Sequence, residues 1–170
     1  MKMGRIGRLL VSEKNPATMV HAARTAVAGV ISYLLARLCR LPEAYWAPIS
    51  TMVVMQSTLG ATVPVSAQRF AGTAVGAAVG AVLNTWFRVN IWVFGAAVLL
   101  IGMICALLRV ERTAYRYAGI TLAIVMLVPR SSGGWVIALH RFFEVSLGIA
   151  VGLLIAAVWP ERSATKRVNA

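Results

Sequence analysis

Ile91-Trp-Val-Phe-Gly-Ala-Ala-Val-Leu-Leu-Ile-Gly-Met-Ile-Cys-Ala-Leu-Leu108 decides the fold class. The run carries no charge and no proline, and it is apolar on every face of a helix. A soluble surface helix keeps a polar stripe opposite its apolar one. An uncharged apolar run of this length is instead long enough to enter a hydrocarbon core about 30 Å thick. Arg88-Val89-Asn90 bounds it as a tight turn on one side, and the basic stretch Arg109–Arg116 bounds it as a loop on the other.

Five more apolar segments flank this one. The first, Met19–Ala36, opens after Asn15-Pro16, a capping side chain followed by proline at the first helical position. Arg37 and Arg40 end it, Leu41-Pro42 restarts a helix, and Tyr45–Leu59 is the second segment. Gly60–Ser66, with Pro64, reads as a turn before the third segment, Phe70–Phe87. Tyr117–Pro129 is the fifth segment, and Ser131-Ser132-Gly133-Gly134 is a flexible turn. Trp135–Trp159 is the sixth, with Arg141 and Glu144 near its start. The expected architecture is all-α and integral to the membrane. Six transmembrane helices over 17–160 lie between tails 1–16 and 161–170. The second and fifth segments are the short ones, too short to cross upright.

Composition agrees. The chain has 170 residues, 59% hydrophobic and 13% charged, where a soluble domain is nearer a quarter charged. The net charge of +12 comes from basic residues that punctuate apolar runs, which points to anionic lipid headgroups and away from nucleic acid. Lys2, Arg5 and Arg8 precede an apolar stretch, Leu9–Val11, too short for a signal-peptide core, so 1–16 reads as a retained tail. Basic residues also orient the chain. With the N-terminus inside, the larger set of them is cytoplasmic, and the smaller outer set is Arg37, Arg40, Arg88, Arg130 and Arg141. Both tails are therefore expected in the cytoplasm. Trp46, Trp86, Trp92 and Trp135 fall near the expected outer ends and Trp159 near an inner one. Cys39 and Cys105 have neither metal nor disulfide spacing.

The chain partly matches itself at one fixed offset. The shift that carries Arg37 onto Arg109 also carries Arg40 onto Arg112, Tyr45 onto Tyr117, and Arg69-Phe70 onto Arg141-Phe142. Gly76, Ala78, Val79 and Gly80 fall on Gly148, Ala150, Val151 and Gly152. The two repeats, about 17–88 and 89–160, each hold three helices. An odd count forces opposite orientations in the bilayer, as in many transporters. In such folds, short helices at matching places mark the substrate path. Here they are the second and fifth segments, with Pro48, Ser50, Thr51, Gln56, Ser57 and Thr58 in one and Gly119, Thr121 and Pro129 in the other. The plainer reading is two short helices enclosed by protein.

Gly72, Gly76 and Gly80 share one face of the third helix, as Gly148 and Gly152 do on the sixth, and small faces serve helix packing. Intramembrane ionisable residues are costly and so more informative. Arg24, Arg69, Arg141 and Glu144 are the candidates, with His21 and His140 nearby. Glu144 lies one helical turn after Arg141, placing the two within pairing distance. They are either a structural pair and snorkelling arginines or a line of positive potential for anions, with Arg24 and Arg69 at the inner mouth and Arg141 at the outer. Arginine suits carboxylates because its planar fork bonds both oxygens. The expected substrate pathway is Arg24, Pro48, Gln56, Thr58, Arg69, Thr121, Arg141 and Glu144. No catalytic set, metal cluster or phosphate loop is visible, so the chain reads as a non-enzyme without cofactor.

Several stretches resemble one family. They are His21-Ala-Ala-Arg24-Thr-Ala-Val-Ala28, Leu41-Pro-Glu-Ala-Tyr-Trp-Ala-Pro-Ile-Ser50 and Val54-Met-Gln-Ser-Thr-Leu-Gly60. Gln68-Arg-Phe-Ala-Gly-Thr-Ala-Val-Gly76 and His140-Arg-Phe-Phe-Glu-Val-Ser-Leu-Gly-Ile-Ala-Val-Gly152 complete the set. Together they resemble the membrane module of the fusaric acid resistance and aromatic acid exporter family over about 17–160. The resemblance implies a six-helix module related to that of plant aluminium-activated malate transporters. It implies export or channel-like permeation of organic anions, often aromatic carboxylates, by a homodimer in a bacterial inner membrane. Arg24, Gln56, Thr58, Gly60, Arg69 and Gly76 sit on the family pattern, whereas Ser57 stands where many relatives have proline. Many relatives also append a cytosolic domain or a second membrane module. The alternative expectation is a non-transporting scaffold or subunit of a larger transport system. An ion-coupled pump is a third, with Glu144 as its carboxylate.

Overall fold

The computed structural model describes residues 18–88, 90–107, 109, 111–128 and 133–160. Both expected tails, the Asn15-Pro16 cap, Pro129, Arg130 and the Ser131-Ser132 turn lie outside them. Six helices account for nearly all of the described chain: α1 (Met19–Leu38), α2 (Trp46–Val54), α3 (Leu59–Trp86), α4 (Ile91–Leu107), α5 (Arg112–Leu127) and α6 (Gly134–Val158). No strand occurs among the described residues. Local chemistry sets the helix starts. The Thr18 side chain accepts from the His21 N–H at 3.0 Å and caps α1. The Asn90 carboxamide oxygen accepts from the Trp92 and Val93 N–H groups, both at 3.0 Å, and opens α4.

Three boundaries depart from expectation. α2 is 9 residues, shorter than the expected Tyr45–Leu59, because Met55 turns extended and ends it. The expected turn over Gly60–Ser66 is helix, and α3 runs unbroken for 28 residues through Pro64. Thr58 caps it by accepting from the Ala61 N–H at 3.3 Å, and Thr62 donates back to the Thr58 carbonyl at 2.9 Å. Pro64 removes one helical donor in the second turn, a loss of about 3 kcal/mol that the packing of so long a helix outweighs. α5 starts at Arg112, so much of the expected basic loop is its first turn. Charge alone does not end a helix where long side chains can reach water.

The burial pattern is inverted relative to a soluble bundle. Trp92 is 83% exposed and Leu107 84%, whereas Arg24, Arg141 and Glu144 are at most 1% exposed. α1 and α6 are each long and apolar enough to cross a membrane, and α4 is a shorter apolar helix. Water penalises such a surface and hydrocarbon does not. Most remaining buried positions are Ala, Gly, Ser or Thr, which let backbones come close.

The third helix of each sequence half packs on the second helix of the other. α3 makes its largest contact with α5, and α2 makes its largest with α6. A Cβ at Gly72 would fall on the Ala114 carbonyl oxygen, and one at Gly76 on that of Ala118. Gly148 stands against the Ala47 carbonyl oxygen in the same way, and a Cβ at Gly152 would lie 2.8 Å from Val54 Cγ2. The Thr51 hydroxyl lies 3.0 Å from the Ala47 carbonyl oxygen and 2.9 Å from that of Gly148. α3 and α6 then meet antiparallel. Asn84 touches Gly134, Ala77 and Ala81 cluster with Ile137 and Ala138, and the Phe70 and Phe142 ring centroids are 5.1 Å apart.

Candidate functional site

Three buried arginines organise the interior, and their surroundings differ. Arg24, on α1, is fully buried. One amine donates to the Trp159 carbonyl at 3.0 Å and the other to the Gln56 carbonyl, with His21 Nδ1 3.4 Å from the latter. Both carbonyls lie just beyond helix ends, where backbone acceptors lack helical partners and cations are favoured. Arg24 therefore ties the ends of α2 and α6 to α1.

Arg141, on α6, is held by opposite charge. Its guanidinium lies 3.2 Å from Glu43 and 3.6 Å from Glu144, and 3.8 Å over the Trp46 ring. Glu144 also accepts the Glu43 backbone N–H at 2.9 Å, and the Tyr45 hydroxyl donates to Glu43 at 2.8 Å. The cluster fastens the start of α2 to α6.

Arg69, on α3, is 5% exposed and makes no ion pair among the described residues. One amine donates to the Ser50 hydroxyl at 3.2 Å, and the guanidinium carbon sits 4.9 Å from the Tyr117 ring centre. Its Nε and the Ser66 hydroxyl are buried without a hydrogen-bond partner in the protein. Thr62, Ser66, Arg69 and Thr73 share one face of α3 and are all buried. Ser50 and Thr51 on α2 and Thr121 on α5 are buried as well. Arg69 thus sits on α3 between Ser50 of α2 and the Tyr117 ring of α5, with a buried donor left over.

The other expected pathway residues fall mainly at the α2–α3 connection. Pro48 sits in the first turn of α2, where the absent N–H has no helical acceptor. The Gln56 backbone N–H donates to the Thr62 hydroxyl at 3.2 Å, and Thr58 is a helix cap. Arg24, Gln56 and Thr58 are gathered at one end, Arg69 stands beside α2 and α5, and Arg141 with Glu144 forms the separate cluster at the start of α2. Gly72, Gly76, Gly80, Gly148 and Gly152 lie at helix contacts. Sequence reasoning passed over Glu43, Ser66 and Tyr117. The self-match held a signal for the last, since the fixed offset carries Tyr45 onto Tyr117.

Residues 25–155 match the family profile described as "Fusaric acid resistance protein-like". The chain is 31% identical over 155 residues to "Inner membrane protein YeeA" of Escherichia coli K12, covering 85% of this chain and 42% of that protein. It is 28% identical over 152 residues to "Uncharacterized transporter YdhK" of the same strain, covering 84% of this chain and 23% of that protein. With "Inner membrane protein YccS", also of that strain, it shares 26% identity over 144 residues, covering 83% of this chain and 20% of that protein. The chain therefore spans less than half the length of these relatives. No solved structure matches. A profile match over more than half of the chain, on the segments that carry Arg69 and Arg141, places it: the chain belongs to the fusaric acid resistance protein-like family.

Proposed function

We propose that this chain forms a membrane transport module for organic anions, exporting or passing aromatic carboxylates through a path lined by α2, α3 and α5. The observation that carries the reading is Arg69, buried with Ser50 as its hydrogen-bonded side chain and no carboxylate partner among the described residues. A buried guanidinium without a carboxylate is costly, and a passing carboxylate would supply the missing charge through its two oxygens. Among the described residues no second buried cation of α2, α3 or α5 stands with Arg69, which favours release of the anion. In this reading the halves are inverted repeats about an axis between Phe70 and Phe142, and both termini face the cytoplasm of a bacterial inner membrane. The working unit is a homodimer in contact with membrane lipid, and the chain is not an enzyme. The names of the E. coli relatives support the location and the transport role.

Efflux of radiolabelled benzoate from proteoliposomes of the purified chain tests this. Arg69→Gln should cut the initial rate at least tenfold while the protein still inserts and folds. An unchanged rate removes Arg69 from the path. The second reading is a non-transporting scaffold or subunit of a larger transport system. Flux by the purified chain alone refutes it.

A further inference from the structure

A cavity of about 340 Å³ opens where α1 gives way to α2, away from both Arg24 and Arg69. Small-molecule sites begin at roughly this size, about 300 Å³. Tyr33 and Arg37, one helical turn apart on α1, line this open cavity together with Arg40 and Tyr45 of the connection, and all four are exposed. Neither arginine makes an ion pair among the described residues. The nearby carboxylate, Glu43, is turned to Arg141 and to the Tyr45 hydroxyl. Two guanidinium groups and two phenol rings thus share one cavity, while the neighbouring acid is committed elsewhere.

The backbone at Arg40 adds a second observation. The Leu41 N–H bonds the Ala36 carbonyl and the Arg40 N–H bonds the Arg37 carbonyl, both at 3.0 Å. This is the closing turn in which glycine is favoured, because the residue after the cap takes left-handed angles. Arg40 occupies that place with φ 54°. Glycine would complete the turn without strain, so the arginine side chain brings charge to this position at a conformational cost. A cation near a helix C-terminus also complements the dipole, but Arg37 in the last turn already does so.

We propose that Tyr33, Arg37, Arg40 and Tyr45 form a second binding site, for a small aromatic carboxylate, at the α1–α2 end of the module. The choice of ligand class rests on the anion-transport reading above; the site itself rests on the cavity and its unpaired arginines. Arg37 and Arg40 hold the carboxylate, and the tyrosine rings flank the aromatic body. Because Tyr45 also donates to Glu43, a ligand here sits one hydrogen bond from the cluster that anchors α2 to α6.

The test is equilibrium binding of benzoate to the full chain in phosphatidylcholine nanodiscs. Arg37→Gln and Arg40→Gly should each weaken binding at this site at least tenfold. Arg40→Gly relieves the left-handed residue, so its thermal midpoint should equal or exceed that of the parent, and lost binding then cannot be ascribed to unfolding. Arg69→Gln should leave this binding intact while reducing flux. Parental affinity in both Arg37→Gln and Arg40→Gly overturns the proposal. It also falls if added phosphatidylglycerol erases the difference between parent and Arg40→Gly, because the arginines then hold lipid headgroups. Binding that survives Arg69→Gln with unchanged flux leaves this site standing and removes the path through Arg69 instead.

Discussion

Arg69 and Arg141 hold equivalent places in the two sequence halves, each followed by phenylalanine, and the two rings meet. Each guanidinium lies over an aromatic ring: Tyr117, on the second helix of the other half, for Arg69, and Trp46, likewise, for Arg141. There the likeness ends. Arg141 has Glu43 and Glu144; Arg69 has a serine hydroxyl and, among the described residues, no carboxylate. One position uses its charge to fasten α2 to α6. The other leaves capacity for a ligand. On the proposed reading one scaffold is filled once for rigidity and once for exchange, and carboxylates beside the guanidinium make the difference.

The largest effect expected from disturbing this contrast is at Arg141. Arg141→Ala leaves Glu144 buried without its cation and should destabilise the fold by about 3–5 kcal/mol, read from denaturant unfolding in detergent. If the loss is under about 1 kcal/mol, Arg141 is not the anchor of α2. Next come the two glycine contacts. Gly76→Ala and Gly148→Ala each push a methyl onto a carbonyl oxygen of the facing helix, and each should cost about 1–3 kcal/mol by the same measurement. Unequal costs would show that one half tolerates separation better. Arg69→Gln comes third. A tenfold loss of flux corresponds to about 1.4 kcal/mol, with stability held or raised because a buried charge is removed. Adding a carboxylate at its neighbour, Ser66→Asp, should make Arg69 resemble Arg141 and slow flux to a similar degree. The smallest effect is at Gly119, where a Cβ meets nothing within 4 Å. Gly119→Ala should stabilise α5 by about 0.5–1 kcal/mol through helix propensity alone, which thermal melts would detect.

Much of this was legible beforehand for definable reasons. Ile91–Leu108 announces itself because hydrocarbon demands an uncharged run, a constraint local in sequence. The match of Arg69-Phe70 to Arg141-Phe142 was legible because a repeat preserves spacing. Glu43 was missed because its partner Arg141 is remote in the sequence, and nothing in Leu41-Pro42-Glu43 tells a solvated acid from a paired, half-buried one. Pro64 misled because proline is commonly a breaker, and its tolerance in α3 depends on a cap and a packing face that form only in three dimensions. The sequence self-match slips at the first helices. Arg40 and Arg109 share the left-handed turn after α1 and α4, with φ 54° and 52°, although the sequence shift pairs Arg109 with Arg37.

The exchange of partners between the halves has a consequence for biogenesis. A chain emerging from the ribosome completes α2 and α3 long before α5 and α6 exist. At 9 residues, about 14 Å of helix, α2 cannot hold a position across the bilayer by itself. Until α6 arrives with Gly148 and Arg141, α2 has α1 and Arg24 at its far end but lacks its larger packing face and the charge that holds its start. Over the same interval α3 presents its glycine row and Arg69 to whatever lies beside it. Insertion therefore cannot proceed half by half. The first three helices wait, incompletely packed, for the last two, and a chain severed between α3 and α4 would assemble only when both pieces are made together.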